Sequence, residues 1–77
     1  MTTIHMLEVS KQSYTAALKR HEKHLKGLTD KYYNVVGTDI SSEDREEIVD
    51  LHEKIHKCED IIENIDKAIT IINNTAN

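Results

Sequence analysis

The sequence predicts an all-α chain folded as an antiparallel two-helix hairpin, coiled-coil-like, whose packing is completed by a partner chain or by dimerisation. Three observations lead there. From Ile48 to Ile72 the apolar residues recur every seven positions in two interleaved rows, Ile48, Ile55, Ile62 and Ile69 in one and Leu51, Cys58, Ile65 and Ile72 in the other. Spacings of three and four mark one face of a helix, whereas a strand would repeat at two, and four heptads without a polar residue make a lengthwise helix–helix seam. Next, the composition holds no proline, two glycines and 31% charged residues, which suits paired helices. Last, 77 residues form one domain, 1–77, whose own core supplies only a few kcal/mol, and neither a disulfide framework nor a metal cage compensates.

Thr2 and Thr3 can cap a first helix that begins near Ile4 and runs to about residue 36. Its seam reads Ile4, Leu7, Lys11, Tyr14, Leu18, His21, Leu25, Leu28, Tyr32 and Val35, with Lys11 and His21 as the polar interruptions. A lysine tolerates such a place because its stem can lie along apolar surface while the ammonium reaches water. His21 reads as a partly exposed or hydrogen-bonded seam histidine. Gly37 can take the left-handed conformation that closes many helices.

Residues 37–41 then form the turn. Ser41 is the expected N-cap of the second helix, about 42–73, with Asp44 as a weaker form of the capping-box acid. Glu43, Asp44, Glu46 and Glu47 place negative charge where the helix dipole favours it. Pairs four apart, Asp50–Lys54, Glu53–Lys57 and Glu63–Lys67, support its exposed side. Residues 74–77 read as a frayed tail. A short turn makes the helices antiparallel, and pairing positions whose numbers sum to about 78 brings the two seams together. The intra-hairpin core is then Leu7, Tyr14, Leu18, Leu25 and Leu28 from the first helix. Ile48, Leu51, Ile55, Cys58, Ile62 and Ile69 supply it from the second.

Charge divides unevenly along the chain, whose net value is −4. Residues 1–37 carry six Lys or Arg against three acids, or +3, and residues 38–77 carry four against eleven, or −7. Helices of opposite sign suit each other side by side. A net negative chain lacks the basic footprint that nucleic acid requires. No segment is apolar enough to span a bilayer, and the N-terminus lacks a basic stretch leading into an apolar run. With Cys58 on the seam as a buried reduced thiol, a reducing, cytoplasmic setting is expected.

Apolar residues remain outside the seam. Ile61 and Ala68 lie just beside it, and Ile71 sits further round. Met6 and Val9 lie off the seam at the same end of the hairpin, while Tyr33, Val36 and Ile40 gather near the turn. Apolar side chains outside a hairpin's own interface mark half of a larger packing arrangement. The expected partner-binding patch is Met6, Val9, Ile61, Ile65, Ala68 and Ile72.

For chemistry the residues offer little. His21 and His24 are three apart and His52 and His56 four apart, spacings that suit a metal on one helix face, yet the heptad positions send the two pairs to different flanks. No phosphate-binding glycine loop, nucleophile–histidine pairing or sheltered carboxylate pair is present, so neither a catalytic residue, a cofactor nor a metal is expected.

The opening Met1-Thr2-Thr3-Ile4, then Leu7-Glu8, resembles the start of the small co-chaperones of the type III secretion needle subunit. The run Glu59-Asp60-Ile61-Ile62-Glu63-Asn64-Ile65-Asp66, then Ala68-Ile69-Thr70-Ile71-Ile72, is similar to that family's second helix. Length, the glycine-containing turn and the two-helix layout match over nearly the whole chain, while the histidines and the basic stretch Lys19, Arg20, Lys23 and Lys26 depart from the pattern. The resemblance implies a bacterial, cytoplasmic hairpin that stabilises a chaperone of tetratricopeptide-like repeats. It further implies that the pair holds the needle subunit monomeric before export, in a ternary complex, with self-association possible when the hairpin is alone. The alternative is a homodimeric helical regulator or inhibitor, antitoxin-like or phage-encoded, acting by protein–protein contact. A helical-hairpin phosphatase of the sporulation-regulator type would need a Ser-Gln-x-x-x-Asp-like signature where this chain has Leu51-His52-Glu53-Lys54-Ile55-His56.

Overall fold

A computed structural model describes residues 2–32 and 40–75 and consists of two antiparallel helices, α1 (Thr3–Lys31) and α2 (Ser42–Thr75). Thr2 caps α1, its side-chain oxygen accepting the amide of His5 at 3.1 Å. Ser41 caps α2 in the same way, accepting the amide of Asp44 at 3.1 Å while its carbonyl accepts Arg45 N–H at 2.9 Å. Both capping residues are the ones the sequence offers for the purpose.

The end of α1 differs from the expectation. The helix stops at Lys31, not near residue 36, and Tyr32 leaves it at φ −105°, ψ 3°, its amide donating to the Thr29 carbonyl at 3.1 Å. Thr29, Asp30 and Tyr32 are weak helix formers, and the Thr29 hydroxyl donates back to the carbonyls of Leu25 and Lys26, both at 3.1 Å. The expected seam position Val35, the cap Gly37 and the turn residues Tyr33 and Val36 lie outside the described residues. At the other end α2 runs on to Thr75, whose hydroxyl donates to Ile71 and Ile72 carbonyls, so Asn74 and Thr75 are helical and not a tail.

The seams meet along the length of the hairpin. On α1 the partly covered positions run Ile4, Leu7, Lys11, Thr15, Ala17, Leu18, His21, Leu25, Leu28 and Tyr32; on α2 they include Ile48, Ile55, Ile62, Ile69 and Ile72 around the buried Leu51, Cys58 and Ile65. Tyr14, expected in the core, is 38% exposed. Thr15 takes the inward place between Lys11 and Leu18, which turns Tyr14 100° to the side in a 3.6-residue helix.

Charge ties the helices together as their opposite signs predict. Lys11 Nζ meets Asp66 at 2.6 Å, His24 Nε2 meets Glu47 at 2.9 Å, and Lys31 Nζ meets Asp44 at 3.0 Å, each a base of α1 on an acid of α2. These pairs fall short of the expected sum of 78, because an earlier end to α1 shifts the turn toward lower numbers. Within α2, Asp50–Lys54 and Glu63–Lys67 form at 2.9 and 3.2 Å, while the expected Glu53–Lys57 pair does not. Two solvated side chains gain little from such a pair, so its loss costs little.

The molecule measures 58 × 18 × 17 Å, and its radius of gyration of 17.4 Å exceeds the roughly 11–12 Å of a compact domain this size. Its accessible surface of 6075 Å² is likewise larger than the roughly 4,800 Å² of a compact 8.9 kDa monomer. One seam between two helices leaves both of them open on every other side.

Candidate partner-binding face

Among the described residues, Leu51, Cys58 and Ile65 are buried, one per heptad and all on α2, and none of α1 is. Three buried residues among those described make a thin core for a domain of this length. Ile65, expected to serve both the seam and the partner patch, is only 9% exposed and belongs to the hairpin's own core. Its row, shared with Leu51 and Cys58, points straight at α1. The remaining expected patch residues divide by depth. Met6 and Val9 are exposed, whereas Ile61, Ala68 and Ile72 are half-covered at the edge of the seam.

In an antiparallel hairpin, turning the same way from the seam on each helix leads to the same side of the molecule. The Lys11–Asp66 contact marks one side and the His24–Glu47 contact the other. At 100° per residue, the second side of the half that holds both ends of the chain carries Thr3, Met6, Ser10, Ser13, Tyr14 and Ala17 from α1. From α2 it carries Ile61, Asn64, Ala68, Ile71, Ile72 and Thr75. None of these side chains is ionisable in the neutral range, in a chain that is 31% charged. Met6 at 57% and Ile71 at 62% exposure flank this face, and Tyr14 stands within it. Val9 falls on the outer ridge of α1, away from α2, so it borders the face without belonging to it. Tyr14 and Ile71 were not among the expected patch residues; Ile71 had shown itself as an apolar residue well off the seam, while Tyr14 was hidden by fitting the heptad.

The opposite side is charged and grooved. Glu8, Lys11, Gln12, Thr15, Ala16 and Lys19 line a shallow groove of about 470 Å³ along α1. Nearer the turn, Glu22, Leu25, Lys26, Thr29, His52, Ile55 and His56 line another of about 420 Å³ that crosses both helices. The structure thus brings Glu22 and the two α2 histidines to one groove, while His21 lies on the seam and His24 on the far side with Glu47. Among the described residues no group of three or more His, Cys, Asp or Glu is placed to hold a metal ion. No described helix is long and apolar enough to cross a membrane. Val49, 53% exposed near the turn, is a further apolar residue the heptad reading passed over.

Electrostatic perturbation is modest and follows the ion pairs. The Tyr32 hydroxyl, then Lys31, hold the Asp44 carboxyl below its ordinary 3.8, against a smaller opposing effect of desolvation. Hydrogen bonding to the matching aspartate, then its charge, raises the ammonium groups of Lys26, Lys31 and Lys54 through Asp30, Asp44 and Asp50 respectively. All of these lie in the turn half, away from the uncharged face.

Comparison with protein-family models, curated proteins and solved structures finds no match for the chain.

Proposed function

We propose that the hairpin is a cytoplasmic co-chaperone in bacterial type III secretion. In this reading it pairs with a chaperone of tetratricopeptide-like helical repeats, stabilises it, and helps keep the needle subunit monomeric before export. The observation that carries the reading is the uncharged face on the terminal half, spanning both helices beside a core with three buried residues among those described. Such a face is what an obligate helper protein presents to a helical partner, because a partner's helices supply the third layer that a hairpin lacks. The surface in excess of a compact monomer, roughly 1,200 Å², exceeds the roughly 800 Å² that each side contributes to a standard protein interface. The resemblance at both ends of the chain supports the choice of partner class.

The test is co-expression with a candidate repeat-type chaperone and its needle subunit. The reading expects the needle subunit to stay monomeric in the supernatant only when this chain is present, and Ala68→Asp to abolish that protection while far-ultraviolet circular dichroism stays helical. Needle subunit that remains monomeric without the chain refutes the role.

A further inference from the structure

We propose that His52 and His56 form a chelate for a divalent cation of the zinc, nickel and copper class, in the groove near the turn. The two histidines are four apart, so on a 3.6-residue helix they stand one above the other, about 40° apart round the axis. Side chains at that spacing have Cβ atoms about 5–6 Å apart, and imidazole nitrogens bind zinc at about 2.0–2.1 Å. One ion therefore fits between the two rings. Imidazole suits this class of metal, whereas magnesium and calcium take oxygen ligands.

The surroundings favour this pair over the other. Both side chains are exposed and line one groove of about 420 Å³, with Glu22 of α1 on its other wall. The basic group of that groove, Lys26, is held by Asp30 at 2.7 Å, which offsets its charge. Glu59 lies 3.7 Å from His56 Nδ1, which leaves Nε2 to face a metal. A carboxylate beside the second ring nitrogen orients a ligand histidine and raises its basicity. His52 enters no ion pair among the described residues. His21 and His24 differ, because His21 is half-covered on the seam and His24 meets Glu47 at 2.9 Å.

The order His52-Glu53-Lys54-Ile55-His56 is also that of the zinc-binding helix in metalloproteases, where both histidines hold the ion. Hydrolysis there takes a third protein ligand, and no group of three is placed for a metal among the described residues. The site assigned here is accordingly two imidazoles with water completing the coordination, open to solvent and exchangeable. It lies across the hairpin from the uncharged face, so it is independent of the co-chaperone role.

The experiment is isothermal titration calorimetry of the full chain with Zn²⁺, in a buffer that does not bind the ion, with circular dichroism to check the fold. One saturable site per chain is expected. Loss of even an outer partner costs a metal site about 10–100-fold in affinity, so His52→Gln and His56→Gln should each weaken binding by at least about tenfold. Both positions are exposed, and the helices should persist in either variant. His5→Gln and His24→Gln should leave the affinity unchanged. His56→Gln combined with Lys57→His keeps five histidines but sets the pair about 140° apart, and it should bind no better than His56→Gln alone. Because the unfolded chain holds no preset pair, Zn²⁺ should also raise the Tm of wild type and not that of the double variant His52→Gln, His56→Gln. Absence of binding up to millimolar Zn²⁺, undiminished binding in either single variant, or wild-type affinity in the respaced variant overturns the proposal.

Discussion

The Tyr32 hydroxyl of α1 donates a hydrogen bond to the Asp44 carboxylate of α2, and Lys31 reaches the same oxygen at 3.0 Å. Two consecutive residues at the end of one helix thereby grip one residue in the first turn of the next. Asp44 is only 17% exposed, and its backbone amide already serves the Ser41 cap. This clamp ties the end of α1 to the first turn of α2.

Asp44→Asn should therefore destabilise the hairpin in a pH-dependent way. The folded carboxyl titrates below its ordinary 3.8, so its contribution is fully present above that value and is lost as pH falls through the folded one. Thermal melts should show wild type above Asp44→Asn at neutral pH, with the gap closing below pH 3.8. Tyr32→Phe should lower Tm by about 4 °C at neutral pH. An unchanged gap at low pH would remove the clamp from the account.

Much of this was open to reading in the sequence, and the failures have physical causes. Ser41 as cap, the α2 heptads and the opposite charges of the helices depend on local spacing or on sums over many residues, which a linear chain displays. The Tyr32–Asp44 contact joins residues twelve apart across a turn, and no local spacing announces it. Tyr14 and Ile65 lay where a heptad pattern is ambiguous, because it marks an apolar stripe without fixing its centre. Tyr14 was expected inside and stands on the open face, whereas Ile65, expected to serve both the seam and the partner patch, is buried in the seam.

Gly27→Ala should stabilise the protein. Gly27 lies inside α1, exposed, and a Cβ added there meets nothing within 4 Å. Alanine restricts the unfolded chain and favours the helix by roughly 0.5–1 kcal/mol, which for a domain this small raises Tm by about 3–6 °C. A fall in Tm measured by circular dichroism would mean that the site is packed against something.

Depth along the seam should decide the cost of truncation. Leu51, 3% exposed, is the most buried side chain, and Leu51→Ala should cost about 2–4 kcal/mol in urea unfolding. Met6→Ala, on the open face, should change stability by less than about 0.5 kcal/mol while weakening association. Equal costs at the two positions would show that Met6 belongs to the hairpin's own core.

Cys58 gives a probe that needs no substitution. Its thiol is buried between the helices, so reaction with a disulfide reagent should be slow in the folded state and fast in urea. Rapid reaction without denaturant would mean that the seam opens readily at its centre.

The most direct measurement of the central claim is light scattering coupled to size exclusion, on the chain co-expressed with a candidate repeat-type chaperone, for wild type and for Ile61→Asp. The account predicts a stable one-to-one complex for wild type, and for Ile61→Asp a free hairpin that keeps its helicity. Wild-type chain that elutes apart from the chaperone, or an Ile61→Asp chain that still forms the complex, would contradict the assignment of that face to a partner.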